Sequence, residues 1–253
     1  GLLRRKANDR VRIHQTKALM LTLALGGLFG IFTAVDGDAS GKFLAVHQPE
    51  KLAVAEGLFN TTAHAPLVIG GIVDGASQTV IGGLPIPGML SLLATDSIDG
   101  VVKGLNDFPR DTWPPLYVHL LFDGMVAIGS LLIAVALVAW FVKTVRRRER
   151  YPFPKWLLGT VVVTGPLAMV AIEMGWVFAE VARQPWIIYN VMRTADAVTP
   201  APYVGWMFTL FILLYTGLAI GSIVVLRAYF RKHPLAKDVE FTGNKPKREV
   251  WLP

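Results

Sequence analysis

Four apolar runs, at residues 18–35, 116–142, 156–181 and 203–226, constrain this chain more than anything else in it. Each approaches or exceeds the twenty or so residues that cross a bilayer. Hydrocarbon offers no water to the backbone, so runs of this length must satisfy their own N–H and C=O groups as helices. Hydrophobic residues make up 53% of the 253 positions, too many for an ordinary soluble domain. The expected fold is an all-α integral membrane protein with four transmembrane helices.

Charge sets the expected topology. A formal charge of +7 is compatible with nucleic-acid binding, but the distribution argues against that partner. Basic residues gather beside the apolar runs, in segments 1–17, 143–155 and 227–253, as at a cytoplasmic membrane face. Four alternating spans put these three segments on one side, with both ends cytoplasmic. Segments 36–115 and 182–202 fall opposite. The chain has no cysteine, which excludes disulfides, zinc–thiolate sites and iron–sulfur clusters. It starts with Gly1 and shows no cleavable signal, so residue 1 is not expected to be the natural start.

The long segment 36–115 reads as an outer loop. Asp36-Gly37-Asp38 is expected to end the first helix sharply. Gly70-Gly71, Gly82-Gly83, Pro87-Gly88 and Pro114-Pro115 mark turns. Gln48–Phe59 reads as one short helix with Pro49 in its first turn. Thr79–Ala94 is apolar but short, and Gly-Gly and two prolines break it, so it is not expected to span. A connection this long is unusual unless it is functional.

The charged groups at the loop ends of the spans are the candidates for chemistry. Glu173, Trp176 and Glu180 share a helix face, and Arg183 lies one turn further. They read either as a satisfied Glu–Arg pair with Trp186 as an interface anchor, or as a cofactor or ion site. Asp123 and Met125 lie at the same end of the second span. A core methionine is the commoner role, although a thioether can ligate a low-spin haem. Glu180 has the oxygen chemistry for a high-spin haem. For His119, packing with a hydrogen bond is commoner than metal binding. Lys51 and Glu56 either bind a polar ligand or are simply solvated. No P-loop, dinucleotide fingerprint or HExxH is present.

At Gly175–Trp186, GWVFAEVARQPW, the sequence resembles subunit I of the cytochrome bd family of quinol oxidases, whose motif reads GW…E.GRQPW. Gly37-Asp38 followed by Gln48-Pro49-Glu50-Lys51-Leu52-Ala53-Val54-Ala55-Glu56 resembles the start of that family's quinol loop. Asp107-Phe108-Pro109 to Pro114-Pro115 resembles its end. Phe122–Gly129, FDGMVAIG, resembles the family's F..M.G.G helix. The matches run in family order over most of the chain.

The resemblance implies that Met125 is an axial ligand of a low-spin haem b and Glu180 a ligand of a high-spin haem b, close to a haem d or b-type replacement. Arg183 would offset haem carboxylates, with Trp176 and Trp186 packing at the haem site. Lys51 and Glu56 would bind or deprotonate quinol in a periplasmic loop. The implied reaction is oxidation of quinol and reduction of dioxygen to water in the bacterial cytoplasmic membrane. Ala182 replaces the family's usual glycine, and Asp123 stands where many members carry a basic or neutral polar residue. An acid there either lowers the haem potential or accepts a quinol proton. The family's N-terminal spans have no counterpart before Ala18, so the chain is expected to be the C-terminal half of subunit I. Its implied partners are the other half, oxidase subunit II, membrane lipid, quinol and dioxygen. The alternative is a non-enzymatic, transporter-like subunit in which Glu173, Glu180 and Arg183 form an ion path.

Overall fold

The computed structural model describes residues 9–146 and 153–233, and it is mostly helical. The expected basic cluster at 147–150 and most of the tail lie outside the described residues. Among the described residues, four helices are long and apolar enough to cross a membrane: α1 (Asp9–His47), α4 (Val118–Val145), α5 (Lys155–Val181) and α6 (Val204–Lys232). Two compact units divide the chain, Leu21–Val198 and the pair Gly1–Met20 with Thr199–Pro253. In the second unit, α6 leaves Trp206, Phe208, Leu213 and Tyr215 exposed, as suits a helix whose surroundings are apolar.

Between α1 and α4 lie α2 (Pro49–Ala55), six short strands and α3 (Met89–Thr95). The strands are β1 (Thr62–Ala63), β2 (Leu67–Ile69), β3 (Ile72–Asp74), β4 (Thr79–Ile81), β5 (Leu84–Ile86) and β6 (Val101–Val102). They pair antiparallel as β1–β6, β2–β5 and β3–β4, a nest of hairpins. The apolar stretch Thr79–Ala94 is therefore two strands and a short helix rather than a span. After α5, β7 (Trp186–Ile188) and β8 (Met192–Arg193) form one more hairpin.

The first helix corrects the sequence reading. It runs through Asp36-Gly37-Asp38 and ends at His47, where Pro49 disfavours helical geometry at Gln48. Asp38 is accommodated within it: Lys42 bridges Asp38 at 2.7 Å one turn away and Asp96 beside α3 at 2.6 Å, and Leu44 and Ala45 pack on the core of Leu52 and Leu90.

Within the larger unit, α4 packs antiparallel to both α1 and α5. Small residues bring the backbones close. A Cβ on Gly27 would meet Ala136 at 3.0 Å, and one on Gly30 would meet Ile133 at 2.9 Å. Leu23, Val135, Ala139 and Leu157 form a core at one end of these helices. At the other end, Ala53, Val54 and Ala55 of α2 pack with Val118, Phe178 and Ala182. The loop is thus seated directly on the ends of α4 and α5.

Candidate functional site

The seat of α2 is fixed by its C-terminus. Leu58 N–H donates to Ala53 O at 2.8 Å and Gly57 N–H to Val54 O at 3.4 Å, with Gly57 at φ +63°. This is a Schellman motif, and the left-handed position calls for glycine. The buried His119 of α4 takes up another free carbonyl: its Nδ1–H donates to Ala55 O at 2.7 Å. Its Nε2 lies 3.5 Å from Asp123 Oδ2, and Asp123 Oδ2 accepts the Gly70 N–H at 2.5 Å. The acid at position 123 therefore anchors the corner between β2 and β3. His119 and Asp123, one turn apart, clamp two parts of the loop to α4.

Glu56 is sealed beneath this clamp, 6% exposed, and its Oε2 has no hydrogen-bond partner among the described residues. Burial, and then the Asp123 charge, push its carboxyl up to about 8. Such a group holds a proton at neutral pH and can exchange it.

Lys51 points elsewhere. Its Nζ donates to Ala179 O at 3.2 Å, at the C-terminal end of α5, and lies 5.4 Å from the Phe178 ring centroid. Burial lowers its pKa, the Arg183 charge lowers it further, and Glu180 opposes both. Lys51, Arg183 and Trp186 line one cavity of about 130 Å³, together with Gln48, Glu50 and Tyr189. The buried Trp186 Nε1 lacks an acceptor among the described residues. Arg193 stacks on Trp186, 5.3 Å from its centroid, and pairs with Asp111 at 2.9 Å, joining the two loops.

Glu180 and Arg183 form an ion pair at 2.5 Å and remain half-exposed. Glu173, Trp176 and Glu180 form an exposed stripe along α5. The opposite stripe, Ala171, Gly175, Phe178 and Ala182, faces α4 and α2, with Phe178 5.2 Å from Phe122. Met125 belongs to that inner seam. A Cβ on Gly175 would stand 2.7 Å from its Sδ, so glycine makes room for the thioether. Met125 and Glu180 therefore address different sides of α5.

The structure brings Lys51, Arg183 and Trp186 to one cavity and joins Glu180 to them through Arg183. Met125, Trp176 and Glu56 lie apart from that cavity. Sequence reasoning missed Glu50, Gln48 and Tyr189. Glu50 adjoins Lys51 in the first turn of α2, a signal that was readable. No group of three or more His, Cys, Asp or Glu residues suited to a bare metal ion occurs among the described residues. The donors present, a soft thioether in a glycine-lined seam and an exposed carboxylate paired with a guanidinium, fit iron held in a macrocycle.

Helices long and apolar enough to cross a membrane, with a folded loop seated on the ends of α4 and α5, define a membrane protein, and comparison with known proteins gives its family. Residues 1–234 match the family model of cytochrome bd terminal oxidase subunit I, and the chain belongs to that family. It is 44% identical to a putative cytochrome bd menaquinol oxidase subunit I of Bacillus subtilis, over 94% of this chain and 53% of that protein. It is 26% identical to a cytochrome bd-II ubiquinol oxidase subunit 1 of Escherichia coli, over 91% of this chain and 58% of that one. The solved structure of bd oxidase from Geobacillus thermodenitrificans superposes with a TM-score of 0.76 at 48% identity, covering 86% of this chain and 50% of that one. The chain thus spans about half the length of the relatives it matches.

Proposed function

We propose that this chain is part of subunit I of a bd-type terminal oxidase, which oxidises quinol and passes the electrons through haems to reduce dioxygen to water. The observation that carries the reading is the shared cavity: Lys51 from the loop helix and Arg183 and Trp186 from the α5 exit line it together. Family membership and the haem-compatible donors support it.

Met125 would ligate a low-spin haem b and Glu180 a high-spin haem b, near a haem d or its b-type replacement. Bound haem supplies one-electron redox chemistry and, at the reactive iron, oxygen binding. The protein's own groups do the rest. Lys51 donates to a quinol oxygen and Glu56 holds a released proton. Arg183 offsets carboxylate charge near Glu180, and Trp176 and Trp186 pack against the macrocycles. The partners are the part of the relatives' length that lies outside this chain, a second oxidase subunit, lipid, quinol and dioxygen. We place segments 36–115 and 182–202 on the periplasmic side of the bacterial cytoplasmic membrane. Segments 1–17, 143–155 and 227–253 fall on the cytoplasmic side.

The test is a reduced-minus-oxidised optical spectrum of membranes holding the assembled oxidase. Low-spin b-type bands with a far-red chlorin band are expected, although a b-type replacement at the oxygen site would remove the chlorin band alone. A flat spectrum from inserted, assembled protein would sink the oxidase reading. It would leave Glu180 and Arg183 as parts of an ion path.

A further inference from the structure

We propose that Glu50 is a second proton acceptor for the quinol, touching the substrate in the cavity beside Lys51. This rests on the quinol-oxidase reading above. The cavity is lined by Gln48, Glu50, Lys51, Arg183, Trp186 and Tyr189, and Glu56 is not among its lining residues. A ligand that meets Lys51 there also lies against Glu50, its neighbour on the same helix.

The surroundings of Glu50 suit a group that gains and loses a proton in place. It is 3% exposed. Thr112 Oγ1 lies 2.6 Å from Glu50 Oε1 and 2.8 Å from Pro109 O. A hydroxyl has one proton, so it cannot donate to both. With Glu50 ionised, Thr112 donates to the carboxylate. With Glu50 protonated, Glu50 donates to Thr112 Oγ1, and Thr112 turns its own proton to Pro109 O. In both states Glu50 Oε1 and the Thr112 hydroxyl keep a partner, and a buried acid that lost its partner on titration would be costly.

Charge agrees with this reading. Burial raises the Glu50 pKa, the Thr112 hydrogen bond opposes it, and Asp111 raises it further. The other charged or titratable groups around it are Lys51 on its own helix, Arg183 and Tyr189 across the cavity, and Arg193 paired with Asp111. Trp186 lines the same cavity, and its buried Nε1–H has no acceptor among the described residues.

The step balances without a new reactant. Oxidation of a quinol breaks two O–H bonds and releases two protons and two electrons. One proton forms an O–H bond on the Glu50 carboxylate, and the other goes to Glu56, the first acceptor of the proposed reaction. The electrons leave singly to ferric haem, the oxidant of the proposed reaction. A hydroxyl can accept from Lys51 and donate to the Glu50 carboxylate, which suits this cavity, whereas a ligand with acceptors alone cannot use that carboxylate.

The experiment uses the assembled oxidase with full-length subunit I, carrying Glu50→Gln, Glu50→Asp or Thr112→Val. Oxygen uptake is driven in turn by a short-chain quinol and by reduced tetramethyl-p-phenylenediamine, which delivers electrons without a quinol site. Glutamine retains an acceptor for Thr112, so the seat of α2 survives. Glu50→Gln should lower quinol-driven kcat by about a hundredfold while diamine-driven uptake stays within about twofold. Glu50→Asp should restore part of the loss and shift the pH profile, and Thr112→Val should lose less than Glu50→Gln. Unchanged quinol kcat and pH profile in Glu50→Gln would overturn the proposal. So would an equal loss in Thr112→Val, which would mark a merely structural contact. Failure of the oxidase reading shows separately, as no quinol-driven uptake by the unmodified enzyme, and the proposal would fall with it.

Discussion

The imidazole of His119 donates from Nδ1 to the carbonyl oxygen of Ala55 at 2.7 Å, and no part of the ring is exposed. One side chain of a membrane helix thereby caps the loop helix that carries Lys51 and Glu56. His119→Leu leaves that carbonyl buried without a donor, a loss of about 1–3 kcal/mol. Faster amide exchange across α2 and a raised KM for quinol are expected, with the haem spectrum retained. Unaltered exchange would show that the clamp does not hold α2.

Glu56 makes stability depend on pH in a definite direction. Its carboxyl is raised from 4.5 to about 8 in the folded protein, so the folded state binds more protons than the unfolded state between those values. The stabilisation is fully present below about 4.5 and is lost as the pH rises through about 8. Thermal inactivation midpoints should therefore fall with rising pH relative to Glu56→Gln, reflecting a stability change of order a few kcal/mol. Parallel pH curves for the two proteins would contradict this.

Met125→Leu conserves volume in the α4–α5 seam and should cost less than about 1.5 kcal/mol in stability. The protein should remain in the membrane and lose the low-spin haem signal. Gly175→Ala tests the same seam from the other side, because its Cβ would sit 2.7 Å from Met125 Sδ. A shifted low-spin band is expected there. Unchanged spectra in both variants would return Met125 to ordinary packing.

Arg193 joins the two loops through Asp111 and Trp186, but both charged partners are largely exposed. Exposed ion pairs contribute about 0–1 kcal/mol. Arg193→Ala should therefore leave thermal stability nearly unchanged, which a melting curve checks directly. A large loss would mean that the loop contact matters far more than its exposure implies.

The four spans were legible because an apolar run of bilayer length has one structural solution. The end of α1 was misread, since Asp36-Gly37-Asp38 looks like a stop. Its last turns pack Leu44 and Ala45 on Leu52 and Leu90 and bring Lys42 to Asp96, contacts made far along the chain. The strands of the loop escaped notice because they are two or three residues long and β1 pairs with the distant β6. Motif residues were readable singly, but their grouping was not. That Lys51 shares a cavity with Glu50 rather than Glu56 follows from how α2 is seated, and Thr112 meets Glu50 only after the loop closes.

The unbroken end of α1 also bears on how the loop responds to its surroundings. From Leu21 to His47 the helix rises about 40 Å, so its last turns, with Asp36, Asp38 and Lys42, continue past the roughly 30 Å of hydrocarbon. Its last turns carry Leu44 and Ala45 against the core of Leu52 and Leu90, and Lys42 against Asp96. The membrane span and the support for α2 and α3 are therefore one continuous rod with no hinge between them, so the loop that carries Lys51 shares the rigidity of the span.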